Sequence, residues 1–402
     1  MNILMLTPYL PFPPSSGGQI RSYNLIKHLA KRHTIHLVAL IKSKEEERYV
    51  KDLKRYCGSV HLCYRSEKPW TIPNVSKSIF GKWPFLVIRN FSPEAKRVMI
   101  KLLAQYEFDV IHAETFYVMP HIPRTSIPIL LVDQTIEYRV YQHFVNSIKI
   151  PLLPQLLSFE IMKLKHWEKD YWNKADMVGA VSEEDRQEML ALDPSLNVKV
   201  IPNAAGEDLF NLYNPNKKSM KPNFLFTGNY TWIQNVEAAE LLAKNVFPEI
   251  LKYLPEAECY IVGQHAKDKI ARFQSKNIHI IDIASSDVKS IHTMFKKNSV
   301  FISTLEGPGG TRLKILGAMA SGLPVLCSPT SIGGLSVEDG KHVLVARSPE
   351  EFAQKARMLF ETPGLYERIR RNARRLIEES YEWSQIAENL QKIYKTMVVK
   401  KS

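Results

Sequence analysis

The sequence predicts two doubly wound α/β domains in tandem, each a parallel sheet with helices on both faces. Three observations lead there. Strand-like and helix-like stretches alternate in two successive series, and alternation of this kind builds parallel sheets. The strand-like stretches are short and apolar, as strands buried on both faces are. A stretch rich in Asn, Pro and Lys, Leu209–Pro222, separates the two series and reads as a linker. At 402 residues the chain is too long for one ordinary core and suits two.

In the first series, strands are expected at Asn2–Thr7, Thr34–Ile41, Val60–Cys63, Asp109–Ala113, Ile127–Asp133 and Ala175–Ser182. Helices are expected between them at Gly18–Lys31, Glu45–Tyr56 and Pro93–Tyr106. The second series places strands at Phe224–Thr227, Cys259–Val262, His279–Ile281, Val300–Ser303, Val325–Cys327 and Val343–Val345. Its helices are expected at Asn235–Leu254, Val288–Lys297, Thr311–Ser321 and Glu350–Glu361. A final amphipathic helix is expected at Trp383–Val399, with Ile386, Leu390, Ile393 and Met397 at helical spacing. The domains are drawn at 1–207, joined by about 381–402, and at 208–380.

Composition narrows the classes of function. Hydrophobic residues make up 45% and charged residues 24%, the balance of a folded globular protein. No apolar run approaches the ~18–20 residues that span a bilayer. Met1–Thr7 is too short for the apolar region of a signal peptide and reads as a buried strand, so a cytoplasmic location is expected. Cys57, Cys63, Cys259 and Cys327 show neither CxxC spacing nor a Cys/His cluster, which predicts buried free thiols and no metal site. A net charge of +13 favours anionic partners, namely nucleotide phosphates or acidic lipid head groups. No nucleic-acid-binding module is recognisable, so nucleic acid is not expected as a partner.

The strongest motif is GGTRLKILGAMASGLPVL, Gly309–Leu326. Glycines run into a helix N-terminus, where free N–H groups and the helix dipole attract phosphate. Gly307, Gly309 and Gly310 let a ligand approach the backbone, Thr311 stands where the phosphate-binding helix begins, and Arg312 and Lys314 add charge beside it. Near the other end, PYLPFPPSSGGQIRSYNL (Pro8–Leu25) follows the first strand. In open α/β sheets ligands sit beyond the carboxyl ends of strands, which would bring Gly18 and Arg21 to a ligand site.

Taken in order, Gly17-Gly18, DVIHAE (109–114), AVSEED (180–185), IPNAAGEDLF (201–210), FTGNYTWIQNVEA (226–238), YIVG (260–263), GGTRLKILGAMASGLPV (309–325) and YEWSQIAENLQKIY (381–394) resemble the family 4 retaining glycosyltransferases. The resemblance is to the branch with a GTRLKIL segment and covers nearly the whole chain. It implies the GT-B architecture: two Rossmann-like domains facing across a cleft, with the C-terminal helix crossing back to the N-terminal domain. The second domain would bind a nucleotide-sugar donor through Gly309–Lys314, with Arg312 and Lys314 stabilising the leaving diphosphate, so that neither metal nor cofactor is needed. Asn229 and Gly18 would lie on the donor side. Arg21 would lie on the side of a glycan or lipid-linked acceptor.

Three positions depart from the family pattern, of which Gln234, where relatives have a proline before Asn235, is structurally minor. Gly317 stands where relatives carry a second glutamate that holds ribose. In VDQTIEY (132–138), Gln134 stands where relatives carry a histidine, and Glu137 remains. Gln134 can donate to a sugar hydroxyl but does not titrate near neutral pH. Gln134 and Glu137 are therefore read as catalytic candidates beside Arg312 and Lys314. These departures leave two alternatives open: a non-catalytic GT-B subunit that binds a partner or glycan, and a nucleotide-sugar epimerase. Finally, Ile148–Asn173 and Ile79–Leu86 mix apolar, aromatic and basic residues, which suits peripheral contact with an anionic membrane.

Overall fold

A computed structural model describes residues 1–148, 150, 152–216, 221–284, 287–307 and 313–401, apart from the side chains at 156 and 401. The chain forms two compact units, Met1–Pro202 with Trp383–Ser402, and Asn203–Glu382.

The first unit is a seven-stranded sheet of β1 (Asn2–Thr7), β2 (Thr34–Ile41), β3 (Ser59–Tyr64), β4 (Val110–Glu114), β5 (Ile129–Asp133), β6 (Met177–Ala180) and β7 (Val198–Val200), in the order β3-β2-β1-β4-β5-β6-β7. Every pairing is parallel, with Met5 opposite Leu37 on one side and His112 on the other. Its helices are α1 (Gly17–Leu29), α2 (Val50–Leu53), α3 (Ile72–Phe80), α4 (Phe85–Asn90), α5 (Pro93–Gln105), α6 (Glu137–Asn146), α7 (Leu153–Lys174) and α8 (Glu183–Leu192).

The starts of these helices follow local chemistry. Ser92 and Ser182 each accept a hydrogen bond from the backbone N–H three residues on, and Pro93 sits where its missing N–H costs nothing. One core joins Leu4, Leu6, Val38, Leu40, Ile111 and Ala113 of the sheet to Met99, Leu102, Leu164 and Trp172 of the helices.

The second unit repeats the plan with α9 (Glu207–Phe210), β8 (Asn223–Asn229), α10 (Ile233–Leu241), α11 (Phe247–Tyr253), β9 (Glu258–Gln264), α12 (Ala266–Ile270), β10 (Ile278–Asp282), α13 (Val288–Lys297), β11 (Val300–Ser303), α14 (Leu313–Ser321), β12 (Val325–Cys327), β13 (Leu344–Val345), α15 (Pro349–Glu361) and α16 (Leu365–Ser380). Its six strands run β10-β9-β8-β11-β12-β13, all parallel. The final helix, α17 (Trp383–Lys401), belongs to the first unit. There it packs on α1 and buries Ile386, Leu390, Tyr394 and Met397.

In both sheets the direction of strand addition reverses once, between β1 and β4 and between β8 and β11. Ligands of open α/β sheets collect beyond the carboxyl ends of strands at such a point.

Several expectations need correction. Leu209–Pro222 is not a free linker over its described part. Leu209, Phe210 and Leu212 pack on the second core, and Arg370 and Arg374 donate to the carbonyl oxygens of Asn214 and Phe210. Polar composition suggested a tether, but the carbonyls of this segment are held by buried or half-buried guanidinium groups. The stretch read as one helix over Asn235–Leu254 is α10 and α11 joined by a π turn at Leu242–Val246. Pro248 supplies no N–H to the ladder, so the register changes just before it. Glu45–Tyr56 is a 3₁₀ turn, Lys44–Tyr49, capped by Ser43 and Glu46, followed by the single turn of α2. The four cysteines are free and buried.

Candidate active site

In the first unit, β1, β4 and β5 deliver Tyr9, Glu114 and Gln134 to one place. The Gln134 amide donates to Tyr9 Oη at 2.7 Å and to Glu114 Oε2 at 2.5 Å. Gly18 opens α1 against this pair: a β-carbon there would lie 2.4 Å from Tyr9 Oη and 2.7 Å from Gln134 Oε1. A side chain there would push the Tyr9 phenol and the Gln134 amide out of place. Glu114 is fully buried, and burial alone would raise its pKa. Arg21, then His112 and Gln134, more than offset this and hold it below the usual carboxylate range. Arg21 Nε lies 3.4 Å from Glu114 Oε1, and its Nη1 donates to the carbonyl oxygens of Ile201 and Pro202. His112 Nε2 lies 3.1 Å from Glu114, and its Nδ1 meets the Tyr394 hydroxyl of α17. Burial and Glu114 raise the Tyr9 phenol, so it stays protonated and can donate.

Beside this network lies a second group of carboxyls. Asp133 ends β5, accepts from the Phe116 N–H at 2.8 Å and from the indole N–H of Trp172, and is pushed up by burial against those two bonds. Glu168, buried on α7, accepts from the N–H groups of Glu137 and Tyr138 at 2.7 and 3.1 Å and so caps α6. Burial and then Asp133 raise it well above its ordinary value. Glu137, the first residue of α6, is half-buried; burial and Asp133, opposed by Arg89, push it up to about 7. A carboxyl poised there can take a proton from a hydroxyl near neutral pH.

In the second unit the carboxyl ends of β8 and β9 close tightly. Gly263 has φ +143°, and a β-carbon there would lie 1.9 Å from the Gly228 carbonyl oxygen. Next to them, Asn229 donates to Gln264 Oε1 at 3.1 Å and accepts from Thr231. Asn235 of α10 donates to the Asn229 carbonyl at 2.8 Å and accepts from Lys314 Nζ at 2.7 Å. Lys314, in the opening turn of α14, also lies 4.8 Å over the Phe226 ring. A cation is thereby held at the end of α14 that follows β11 in the chain.

Comparison with known proteins decides the class. Residues 15–206 match the sequence model of Glycosyltransferase Family 4, and residues 221–362 match that of Glycosyl transferases group 1. This chain is a glycosyltransferase. It is 23% identical over 397 residues to an uncharacterized 44.6 kDa protein in the cps region of Klebsiella pneumoniae, covering 94% of this chain and 96% of that one. A crystal structure of a glycosyltransferase from Rickettsia africae aligns over 99% of this chain and 98% of its own, at TM-score 0.64 and 18% identity. The Anabaena protein HepE in complex with UDP aligns over 98% and 100%, at TM-score 0.65 and 15% identity. These likenesses give the glycosyltransferase its GT-B fold.

Within the glycosyltransferase, Gln134 and Gly18 share one network, Glu137 adjoins it, and Asn229 and Lys314 share another. Gly309, Gly310, Thr311 and Arg312 lie outside the described residues. Arg21 corrects its expectation. It is fully buried, its charge is met by Glu114 and two carbonyls, and it offers no surface to an acceptor. Gly317 is also buried, and a β-carbon there would lie 2.6 Å from Leu209 Cδ1. Sequence reasoning missed Tyr9, Glu114, Asp133, Glu168 and Asn235. Glu114 and Asp133 could have been found as carboxylates ending buried strands next to the switch point.

Proposed function

We propose that this glycosyltransferase moves a sugar from a nucleoside diphosphate donor to a hydroxyl of a glycan or lipid-linked saccharide, with retention of configuration and without a metal ion. The observation that carries the reading is the Lys314 ammonium, fixed by Asn235 in the first turn of α14 beside the switch point of the second sheet. A fixed cation with helix N–H groups is the equipment that stabilises a leaving diphosphate. The resemblance to family 4 adds Arg312 and the glycines 309 and 310 to the same task. In the first unit, Glu137 takes the proton of the acceptor hydroxyl, and Gln134 and Tyr9 orient sugar hydroxyls. The enzyme works at the cytoplasmic side of a membrane, where a lipid-linked acceptor is presented. That HepE was solved with UDP makes uridine diphosphate sugars the first donors to try.

Thermal shift with UDP-, GDP-, ADP-, TDP- and CMP-sugars tests the donor. A ligand at a hundred times its dissociation constant stabilises by about 2.7 kcal/mol, several degrees in Tm. One class should shift the protein, and Lys314→Ala should lose the shift. No shift with any class would overturn the reading. Transfer that stops in EDTA and returns with a divalent ion would overturn metal independence.

A further inference from the structure

On the first unit, α3 leaves its apolar side chains in solvent. Ile72 is 86% exposed, Phe80 88%, and Trp70 just before the helix 77%; Ile79 is exposed as well. The first half of α7 continues this surface with exposed Phe159 and Met162. The two helices adjoin. Lys163 donates to the Ser78 carbonyl and lies 6.0 Å over the Phe159 ring, and the Ser78 hydroxyl donates to Glu160 at 2.9 Å. Apolar residues scattered singly over a surface need no explanation, but five on two adjoining helices, with Trp70 just before the first, form a patch of the kind that marks interaction sites.

The charge around the patch selects the partner. From Lys68 to Ser92 the chain has four basic residues, Lys68, Lys77, Lys82 and Arg89, and no acid. From Tyr138 to His166 its one acid is Glu160, whose carboxylate is turned onto Ser78 and the Phe85 N–H. Lys163 is paired with Glu160 at 3.5 Å, but aromatic and aliphatic side chains set near Lys68, Lys77 and Lys82 match a bilayer with anionic head groups, where rings enter the interface and ammonium groups meet phosphate. We propose that α3 and the first half of α7 dock this protein on an anionic lipid bilayer. The docking stands on this surface and is read without any sugar transfer, so its failure and that of the transferase reading are separate results.

The test is co-sedimentation of the full chain with phosphatidylglycerol–phosphatidylcholine vesicles and with phosphatidylcholine vesicles, at low and high salt. The protein should pellet with the anionic vesicles at low salt and be released by salt. Ile79→Asp with Phe80→Asp should weaken binding about ten-fold or more by putting charge where apolar contact is needed. Lys77→Glu and Lys82→Glu should each cost about five-fold on anionic vesicles. Val399→Asp, at an exposed apolar position on α17, should change nothing. Equal Tm values would confirm that the variants fold. Absence of binding to anionic vesicles at low salt overturns the proposal, as does unchanged binding by the Ile79/Phe80 variant. Concentration-dependent dimerisation that this variant abolishes, without vesicle binding, would assign the patch to a second copy instead.

Discussion

Lys314 Nζ donates to Asn235 Oδ1 at 2.7 Å, so the cation assigned to the leaving diphosphate is held by a residue from a different helix. Lys314→Ala is predicted to lower kcat/KM by about 10²–10³-fold, as removing one preorganised transition-state donor does elsewhere. Asn235→Ala keeps the charge but frees it to move, and should cost about ten-fold. The double variant should be no worse than Lys314→Ala alone. Additive losses in initial-rate kinetics would show that Asn235 does not act through Lys314.

Arg21 is predicted to matter for stability rather than for acceptor binding. Arg21→Leu leaves the Glu114 carboxylate buried without its ion-pair partner, a change worth about 3–5 kcal/mol in urea unfolding. An unchanged unfolding midpoint with a raised acceptor KM would return Arg21 to the acceptor side.

Stability should fall as pH rises through the weakly acidic range. The Glu137 carboxyl is raised from its ordinary 4.5 to about 7 by burial and Asp133, and Asp133 is shifted the same way. Between those values the folded state binds a proton that the unfolded state has released, so each pH increment favours unfolding until the folded carboxyl ionises near 7. Glu137→Gln should flatten the Tm profile from about pH 5 to pH 7. The same variant should lower kcat by about 10²-fold or more if Glu137 is the base. Wild-type kcat should climb through pH 7, and a Glu137→Gln enzyme of normal kcat would remove Glu137 from the mechanism.

Leu209 occupies the space that a side chain at 317 would enter. Gly317→Glu alone should destabilise by about 1–3 kcal/mol through overpacking. Leu209→Ala should relieve that cost, and the double variant should bind the donor nucleotide about ten-fold or more tightly by gaining a charged hydrogen bond to ribose. Isothermal titration showing no gain in a stable double variant would mean that position 317 does not face the ribose.

The parts of this fold legible in the sequence are those where one local pattern decides. β1, β2, β11 and β12 are mostly apolar stretches, and their observed limits coincide with the expected ones. β7 escapes because it has three residues and Lys199 points to solvent. The segment after Glu207 misleads because its anchors, Arg370 and Arg374, lie far along the chain. The site divides in the same way. Lys314 and Gln134 stand in motifs, whereas the role of Tyr9 exists only through a bond to a residue 125 positions away. Gly317 is visible as a departure, but Leu209 as its cause is not.

Because α17 completes the first unit, the order of synthesis and the order of folding differ. The His112–Tyr394 pair joins residues 282 positions apart, with the whole second unit encoded between them. At about 5–20 residues per second the ribosome needs roughly 15–60 s to travel from one to the other. During that interval the contiguous second unit can close, while the face of the first sheet that α17 covers stays open. A chaperone that binds nascent apolar surface should therefore find this face on ribosomes paused within α16 and lose it once Tyr394 has emerged.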